Sequence, residues 1–438
     1  MGNNFIKKYL LEINYKMLVA LVVLGFVPTL YTTLRVYFLG TFPETYQYSI
    51  AGQLTWVNLI FEVLDEAIIL PLYFSIGSVI LDEQEFKNRI KTGFISSFII
   101  YSILAILVIM TIQPLFDFMK VPIELFDLSK NYIRLEVIAN VFKILTRFGL
   151  VVLLSINKDK YFYVYTIVSL ILSILLDTFL VSNTKFSLKL GVNGIAYSNI
   201  ISNLLLLVAI LFIIIKKEKI NFIREGKYSD LFIKEYSRGA LLSGIESFVR
   251  NLFYMVMVSR MVNVVNEQGT YWVANNFIWG WLLLVVNQLA ELIKRDMAEN
   301  RENIKKKTIG YFLITMSICI IWVILIPLYK PFMKFVLNYD EVEKLYNLIL
   351  LLLIPYMFYA FQNIFDAEFY GLGKIKYLVF ETIVTNIVYY GLFFVLYKFN
   401  IFIPTLISIA LMFGGGLVFD SFVSCGAYVY MIKKDVLK

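Results

Sequence analysis

Glu62, Asp65 and Glu66 stand at i, i+3 and i+4 within residues 50–81, a stretch that is otherwise mostly apolar. On an α-helix that spacing stacks three carboxyl groups along one face. Three carboxylates at one place repel each other, so they require a proton, a bound cation or basic neighbours. The chain contains no histidine, which leaves carboxyls as its best proton carriers. Lys143 and Arg147, one helical turn apart in residues 131–154, offer the counter-charge, with Arg134 further out. Glu246 and Arg250 form a second pair at i, i+4 in residues 239–265. Asp366 and Glu368 fall near the end of residues 345–372, where solvation at the membrane interface is expected. Asp177, Glu381 and Asp420 read as single charges that line a wet cavity at most.

A charge at the centre of a bilayer costs about 2.5–3.5 kcal/mol on insertion scales, so each of these side chains is a candidate for function. Two readings of the 62–66 cluster stand at this point. It is either an ion-pair network that holds helices in register, or a place where protons, a cation or a substrate compete for carboxylates.

The elements that must position these groups are membrane helices. Sixty per cent of the 438 residues are hydrophobic and only 16% are charged, too few for the surface of a soluble protein this long. Runs of about 18 or more apolar residues can span the hydrocarbon core as helices. Twelve are present: 17–39, 50–81, 92–118, 131–154, 161–181 and 191–215, then 239–265, 270–293, 308–329, 345–372, 377–397 and 402–432. The spacing predicts an all-α polytopic membrane protein of twelve transmembrane helices in two six-helix lobes. No cleavable signal peptide is expected. Cys319 and Cys425 both fall inside spans, so no disulfide framework is expected either.

The two lobes are written as a repeat. Pro114-Leu115 with Phe118-Met119-Lys120 returns as Pro327-Leu328 with Phe332-Met333-Lys334. Lys158, Lys160-Tyr161 and Thr166-Ile167-Val168 return 216 positions later as Lys374, Lys376-Tyr377 and Thr382-Ile383-Val384. Ile215-Lys216-Lys217-Glu218 matches Ile432-Lys433-Lys434-Asp435. The division expected is an N-lobe over 1–222, a cytoplasmic linker over 223–235 and a C-lobe over 236–438. Six spans per lobe is an even number, so the lobes should be parallel repeats, a common build of secondary transporters. Aligning Ala51 with Ala274 and Trp56 with Trp279 sets Asp65 against Gln288, with Asn287 beside it. On that register both halves have a polar centre and only the first is charged.

Lys and Arg give the orientation. Loops on the side of the termini hold 26 of the 40, the opposite loops eight, which places both termini in the cytoplasm. The net charge of +8 follows from that bias and from contact with anionic membrane lipids, and implies no nucleic-acid partner. No Gly-rich phosphate loop, metal-ligand cluster or nucleophile arrangement stands in the loops, so neither an ATP-driven pump nor a membrane enzyme is expected. No cofactor is expected beyond H⁺ or Na⁺ as a coupling ion, and a monomer is expected.

Several local motifs resemble the multidrug and toxic compound extrusion (MATE) family, within the multidrug/oligosaccharidyl-lipid/polysaccharide (MOP) exporter superfamily. Gly191-Val-Asn-Gly194-Ile-Ala196 resembles the family's Gly-x-x-Gly-x-Ala at its sixth helix, preceded by Ile174-Leu-Leu-Asp177. Tyr370-Gly371-Leu-Gly373 resembles the Arg-Gly-x-Gly turn closing its tenth, with Tyr370 in place of arginine. The stretch from Gly239 to Phe248 resembles the family's seventh helix and its glutamate, here Glu246, used by one branch for cation binding. Pro28 resembles the proline at which another branch bends its first helix. That branch's coupling aspartate in the first helix has no counterpart between residues 17 and 39, and Asp366 lies nearer the cytoplasmic end than the family's aspartate.

The resemblance implies a cation-coupled secondary exporter of small amphipathic or drug-like molecules in a prokaryotic plasma membrane, working by alternating access. An alternative from the same superfamily is a flippase for a lipid-linked saccharide, with Lys143, Arg147, Arg250 and Arg260 holding an anionic head group. A receptor or scaffold is the third reading, and it gives no reason to keep costly buried carboxylates.

Overall fold

In a bilayer an apolar segment must satisfy its own backbone, and the helix does so within one segment. The computed structural model describes residues 9–42, 46–69, 76–229, 244, 245 and 247–436, and the described residues contain no strand. The first six long helices are α1 (Tyr15–Leu39), α2 (Gln47–Leu64, prolonged by Asp65–Ile69), α3 (Glu83–Met110), α4 (Phe126–Ser155), α5 (Lys160–Leu180) and α6 (Gly191–Phe212, prolonged by Ile213–Lys217). Helix α7 covers 247–254 and continues through Met255–Ser259 and Arg260–Val264. Helix α8 is broken: Gln268–Leu282 and Leu284–Glu299 meet at 54°. The last four are α9 (Asn303–Ile324), α10 (Val342–Gly371), α11 (Ile375–Lys398) and α12 (Leu406–Met431). Among the described residues nine helices are long and apolar enough to cross a membrane, and ten with the bent pair taken as one span. The chain is an all-α polytopic membrane protein, and its described residues hold twelve long helices.

The repeat seen in the sequence is a repeat of elements. Pro114 and Pro327 each open a short helix, Ile112–Met119 after α3 and Ile326–Phe335 after α9. Proline is tolerated in a first turn, where its missing N–H has no partner to lose. The Ile-Lys-Lys motifs that close α6 and α12 both lie in π-helical turns, Ile213–Lys217 and Ile432–Val436. The two glycine motifs also have physical reasons. Gly191 has φ +57°, and a Cβ on Gly194 would stand 2.7 Å from the carbonyl oxygen of Leu180. Gly373 has φ +67°, and a Cβ on Gly371 would stand 2.5 Å from the carbonyl oxygen of Lys294. Positive φ and close backbone approach are the two conditions that only glycine meets cheaply.

Packing groups the helices differently from the order of the chain. One compact unit comprises residues 38–269, hence α2 to α7. The other comprises residues 1–37 and 270–438, hence α1 with α8 to α12. Each has six helices and its own core. In the first, α4 is central, with 67% of its most apolar window inside, and Trp56, Phe116, Phe148 and Phe222 fill the space around it. In the second, Met297, Tyr311, Phe369 and Met431 are fully buried, and α1 lies at the margin with only 11% of its window inside. The lobes at 1–222 and 236–438 remain a proposal about the repeat, whereas the packing boundaries fall near residues 38 and 270.

Candidate functional site

Helix α2 ends its regular hydrogen bonding at Leu64, and Asp65–Ile69 continue as a π-helical turn. Such widened turns often accompany functional sites because they re-aim side chains at little cost. Asp65 and Glu66 are neighbours on this widened turn and so diverge by roughly a quarter-turn around the helix axis. The acids that the spacing placed on one face thus reach in two directions.

Asp65 points toward α3 and α4. The Tyr101 hydroxyl donates to its Oδ1 at 2.6 Å, and Arg147 donates to its Oδ2 at 2.8 Å. Lys143, one turn before Arg147, is within electrostatic reach of the same carboxylate. Glu66 points toward α7, where Arg250 donates to its Oε1 at 2.6 Å. The same guanidinium lies 3.6 Å from Oε1 of Glu62. One arginine thus spans two carboxylates a turn apart on α2. Below this layer Gln53 donates to Asn263 at 2.8 Å, and Asn263 donates back to Gln53 at 3.2 Å and to the Met119 carbonyl at 3.0 Å. These buried amides fasten α2 to α7, as polar side chains do between membrane helices.

The residues singled out in the sequence therefore fall as follows. Glu62, Asp65, Glu66, Arg147 and Arg250 form one ion-pair cluster inside the unit 38–269, with Lys143 beside it. Three acids and three bases make the cluster electrically balanced when all are ionised. Arg250, expected opposite Glu246, is in contact with Glu62 and Glu66, while Glu246 itself lies outside the described residues. Gln288 is in the other unit, on α8. A Cβ on Gly25 of α1 would come within 2.5 Å of its amide nitrogen, so Gln288 packs directly on α1. Pro28 lies inside the continuous helix α1, and its carbonyl accepts from Thr32 at 3.0 Å.

Beside the cluster is a cavity of about 220 Å³ lined by Leu59, Ile60, Val63, Leu104, Leu252 and Met255, among others. Asn251 is the polar member of its wall, and its amide is tied to the Leu59 carbonyl at 3.2 Å and to Ser247 at 3.4 Å. Glu62, 43% exposed, is on the same helix and is the most exposed of the three acids.

Two expectations are corrected. The second unit does have a charged centre, on α10 to α12 rather than at the Gln288 register. Glu381 and Asp420, read as single charges, meet Asp366 there around Gln362. Glu368 is 0% exposed, not solvated at the interface. Its Oε1 accepts from Thr308 at 2.5 Å, while its Oε2 is buried without a hydrogen-bond partner. Sequence reading looked for several acids on one helix, and here each helix supplies one. A weaker signal was present: each acid has a polar residue one turn away, as Gln362–Asp366, Glu381–Thr385 and Asp420–Ser424.

Comparison with known proteins bears on the fold. No family model matches the chain, and no curated protein matches it in sequence. Solved structures do match. A multidrug resistance MATE-family transporter of the MOP superfamily, in an inward-facing conformation, superposes with a TM-score of 0.76 at 18% identity over 93% of this chain and 96% of that one. A MOP-superfamily transporter from Pyrococcus furiosus, described as having a binding pocket of reverse polarity, gives 0.66 at 18% identity over 95% and 96%. A MATE transporter of Vibrio cholerae gives 0.64 at 13% identity over 96% and 98%. The chain has the fold of MATE transporters, over nearly its whole length.

Proposed function

We propose that this protein is a cation-coupled secondary exporter of small amphipathic molecules, working by alternating access in a prokaryotic plasma membrane with both termini in the cytoplasm. The observation that carries the reading is the balanced cluster on α2, α4 and α7 beside an apolar cavity. A scaffold gains nothing from six charged side chains placed where each must be neutralised. A transporter can exploit the balance. Protonation of Asp65 or a cation at Glu62 would weaken the hold of Arg147 or Arg250, and that differential affinity can bias a conformational equilibrium. The amphipathic substrate would place its charge at Glu62 and its apolar body against Leu59, Val63 and Met255. A flippase is less well supported. Arg147 and Arg250 are held by carboxylates, and Arg260 donates to the Phe118 carbonyl at 2.7 Å, so three of the four cations it would need are already engaged.

The test is transport by purified protein in liposomes, with pH and sodium gradients imposed separately and a lipophilic cationic dye as substrate. Gradient-driven dye movement is expected, reduced at least about tenfold by Asp65→Asn and by Glu66→Gln, the loss corresponding to about 1.4 kcal/mol. No gradient-driven movement by the wild type would overturn the reading. Unchanged transport by the double variant would reduce the cluster to packing.

A further inference from the structure

In the unit comprising α1 and α8 to α12, three helices each bring one carboxyl to the same point. Asp420 of α12 has both oxygens engaged by neutral donors: Thr385 at 2.5 Å on Oδ1 and Gln362 at 2.7 Å on Oδ2. Asp366 of α10 accepts from Ser424 at 2.9 Å and, more weakly, from Gln362 at 3.3 Å. Ser421 donates to Oε1 of Gln362 at 3.0 Å, so the Gln362 amide is held with its NH₂ toward the two aspartates. Glu381 of α11 differs from both. It is 5% exposed, it lies within hydrogen-bonding distance of Asp366 and Ser424, and its Oε2 is buried without a hydrogen-bond partner.

No lysine or arginine pairs with any of the three among the described residues. Ionisable side chains on the elements packed around them are engaged elsewhere. Lys307 and Tyr311 of α9 both donate to Asp296 of α8, and Lys294 of α8 pairs with Glu291. Glu368 of α10 is held by Thr308, with Tyr428 of α12 beside it. Lys376, near the start of α11, lies over the Tyr377 ring.

The donor inventory then decides the protonation pattern. A carboxylate only accepts hydrogen bonds, so two carboxyl groups at hydrogen-bonding distance attract only when one of them carries a proton. Asp420 and Asp366 are each solvated as anions by two donors. Glu381 lacks such donors for both oxygens, and one of its oxygens is orphaned, as suits the carbonyl oxygen of a neutral acid and costs more for a carboxylate. We propose that Asp366, Glu381 and Asp420 form a proton-binding site, in which Glu381 carries the proton and donates it to Asp366. Asp366 and Asp420 are partly exposed while Glu381 is buried, so the aspartates are the route by which the proton exchanges. The use of this proton in coupling rests on the exporter reading. The existence of the site does not.

Infrared difference spectroscopy of the full chain in lipid, titrated with base in H₂O and D₂O, tests this directly. A carboxylic-acid C=O band is expected that shifts in D₂O and is lost reversibly as the pH rises. Glu381→Gln and Asp366→Asn should each remove that band; Glu368, whose Oε2 is also buried without a partner, contributes at most a separate band that Glu368→Gln alone removes. Carbon-13 at the glutamate carboxyls should move the band in the unaltered protein, so the assignment does not depend on a variant folding. If neither triad variant removes a band, if Glu368→Gln removes the same band, or if that band follows aspartate labelling instead, the proposal is overturned. A band in place with no gradient-driven transport would overturn the exporter reading and leave the site standing. Transport without the band would do the reverse.

Discussion

Arg250 makes the clearest case at the scale of single residues, because one guanidinium holds Glu66 closely and Glu62 at its edge. Arg250→Ala removes the cation that these two carboxylates, a turn apart, share. The expected loss of stability is about 1–3 kcal/mol, between the limits for exposed and fully buried pairs. Glu66→Gln should restore part of it, and thermal unfolding of the two single variants and the double variant in detergent measures the coupling. Outside the spans, Glu218 accepts from Tyr161 at 2.8 Å and pairs with Lys158 at 3.0 Å, and the Tyr161 hydroxyl and the lysine hold its carboxyl below the usual range. A folded-state pKa below the unfolded one stabilises above the unfolded pKa, and the gain disappears as pH falls through the folded one. Glu218→Gln should therefore be less stable than wild type at neutral pH, by about 1 kcal/mol or less, and no less stable in strong acid. Thermal midpoints across pH decide it. The 62–66 cluster was legible because three acids in one apolar run cannot be missed. The triad on α10 to α12 was not, because its members are dispersed over 55 positions and only folding assembles them.

At the scale of elements, helices in lipid gain little from apolar burial against each other and depend on close contact. Gly149 of α4 shows how close. A Cβ there would stand 2.3 Å from Cγ2 of Ile210 on α6. Ile210 is β-branched and has little rotamer freedom with which to yield. Gly149→Ala should cost about 1–3 kcal/mol, and Ile210→Ala in the same chain should relieve much of that, as read from unfolding in detergent. The apolar runs located these elements well, since a span needs only length and hydropathy. They did not show that α8 bends at Leu283 or that α2 widens at Asp65. Both depend on tertiary neighbours, to which hydropathy is blind. The Gly-x-x-Gly motif was legible as a likeness, and its reason, a backbone carbonyl 2.7 Å from an absent Cβ, needed the packed helices.

At the scale of the whole molecule, the repeat was readable because similar residues recur in order. The exchange of α1 and α7 between packing units was not, because nothing in a span's composition names its partner. Helix α1 is bound into the later half by Thr29, which donates to the Gly280 carbonyl at 3.0 Å, and by Thr33, which accepts from Trp281 at 3.0 Å. Helix α7 is bound into the earlier half through Asn263 and Arg250. Two co-expressed fragments, 1–235 and 236–438, should therefore remain associated in mild detergent when only one bears an affinity tag. Their separation would show that these contacts do not hold.

The position of α1 also imposes a timetable. Thr29 and its acceptor on Gly280 are 251 residues apart, and a ribosome adds about 5–20 residues per second. Helix α1 is thus in the bilayer for roughly 10–50 s before its partner has been made. Helices α2 to α7 are contiguous and can assemble in that interval, whereas the other unit has to wait for the last half of the message. The helix that waits longest is the one whose surface lipid can best accommodate, since only 11% of its apolar window is ever covered.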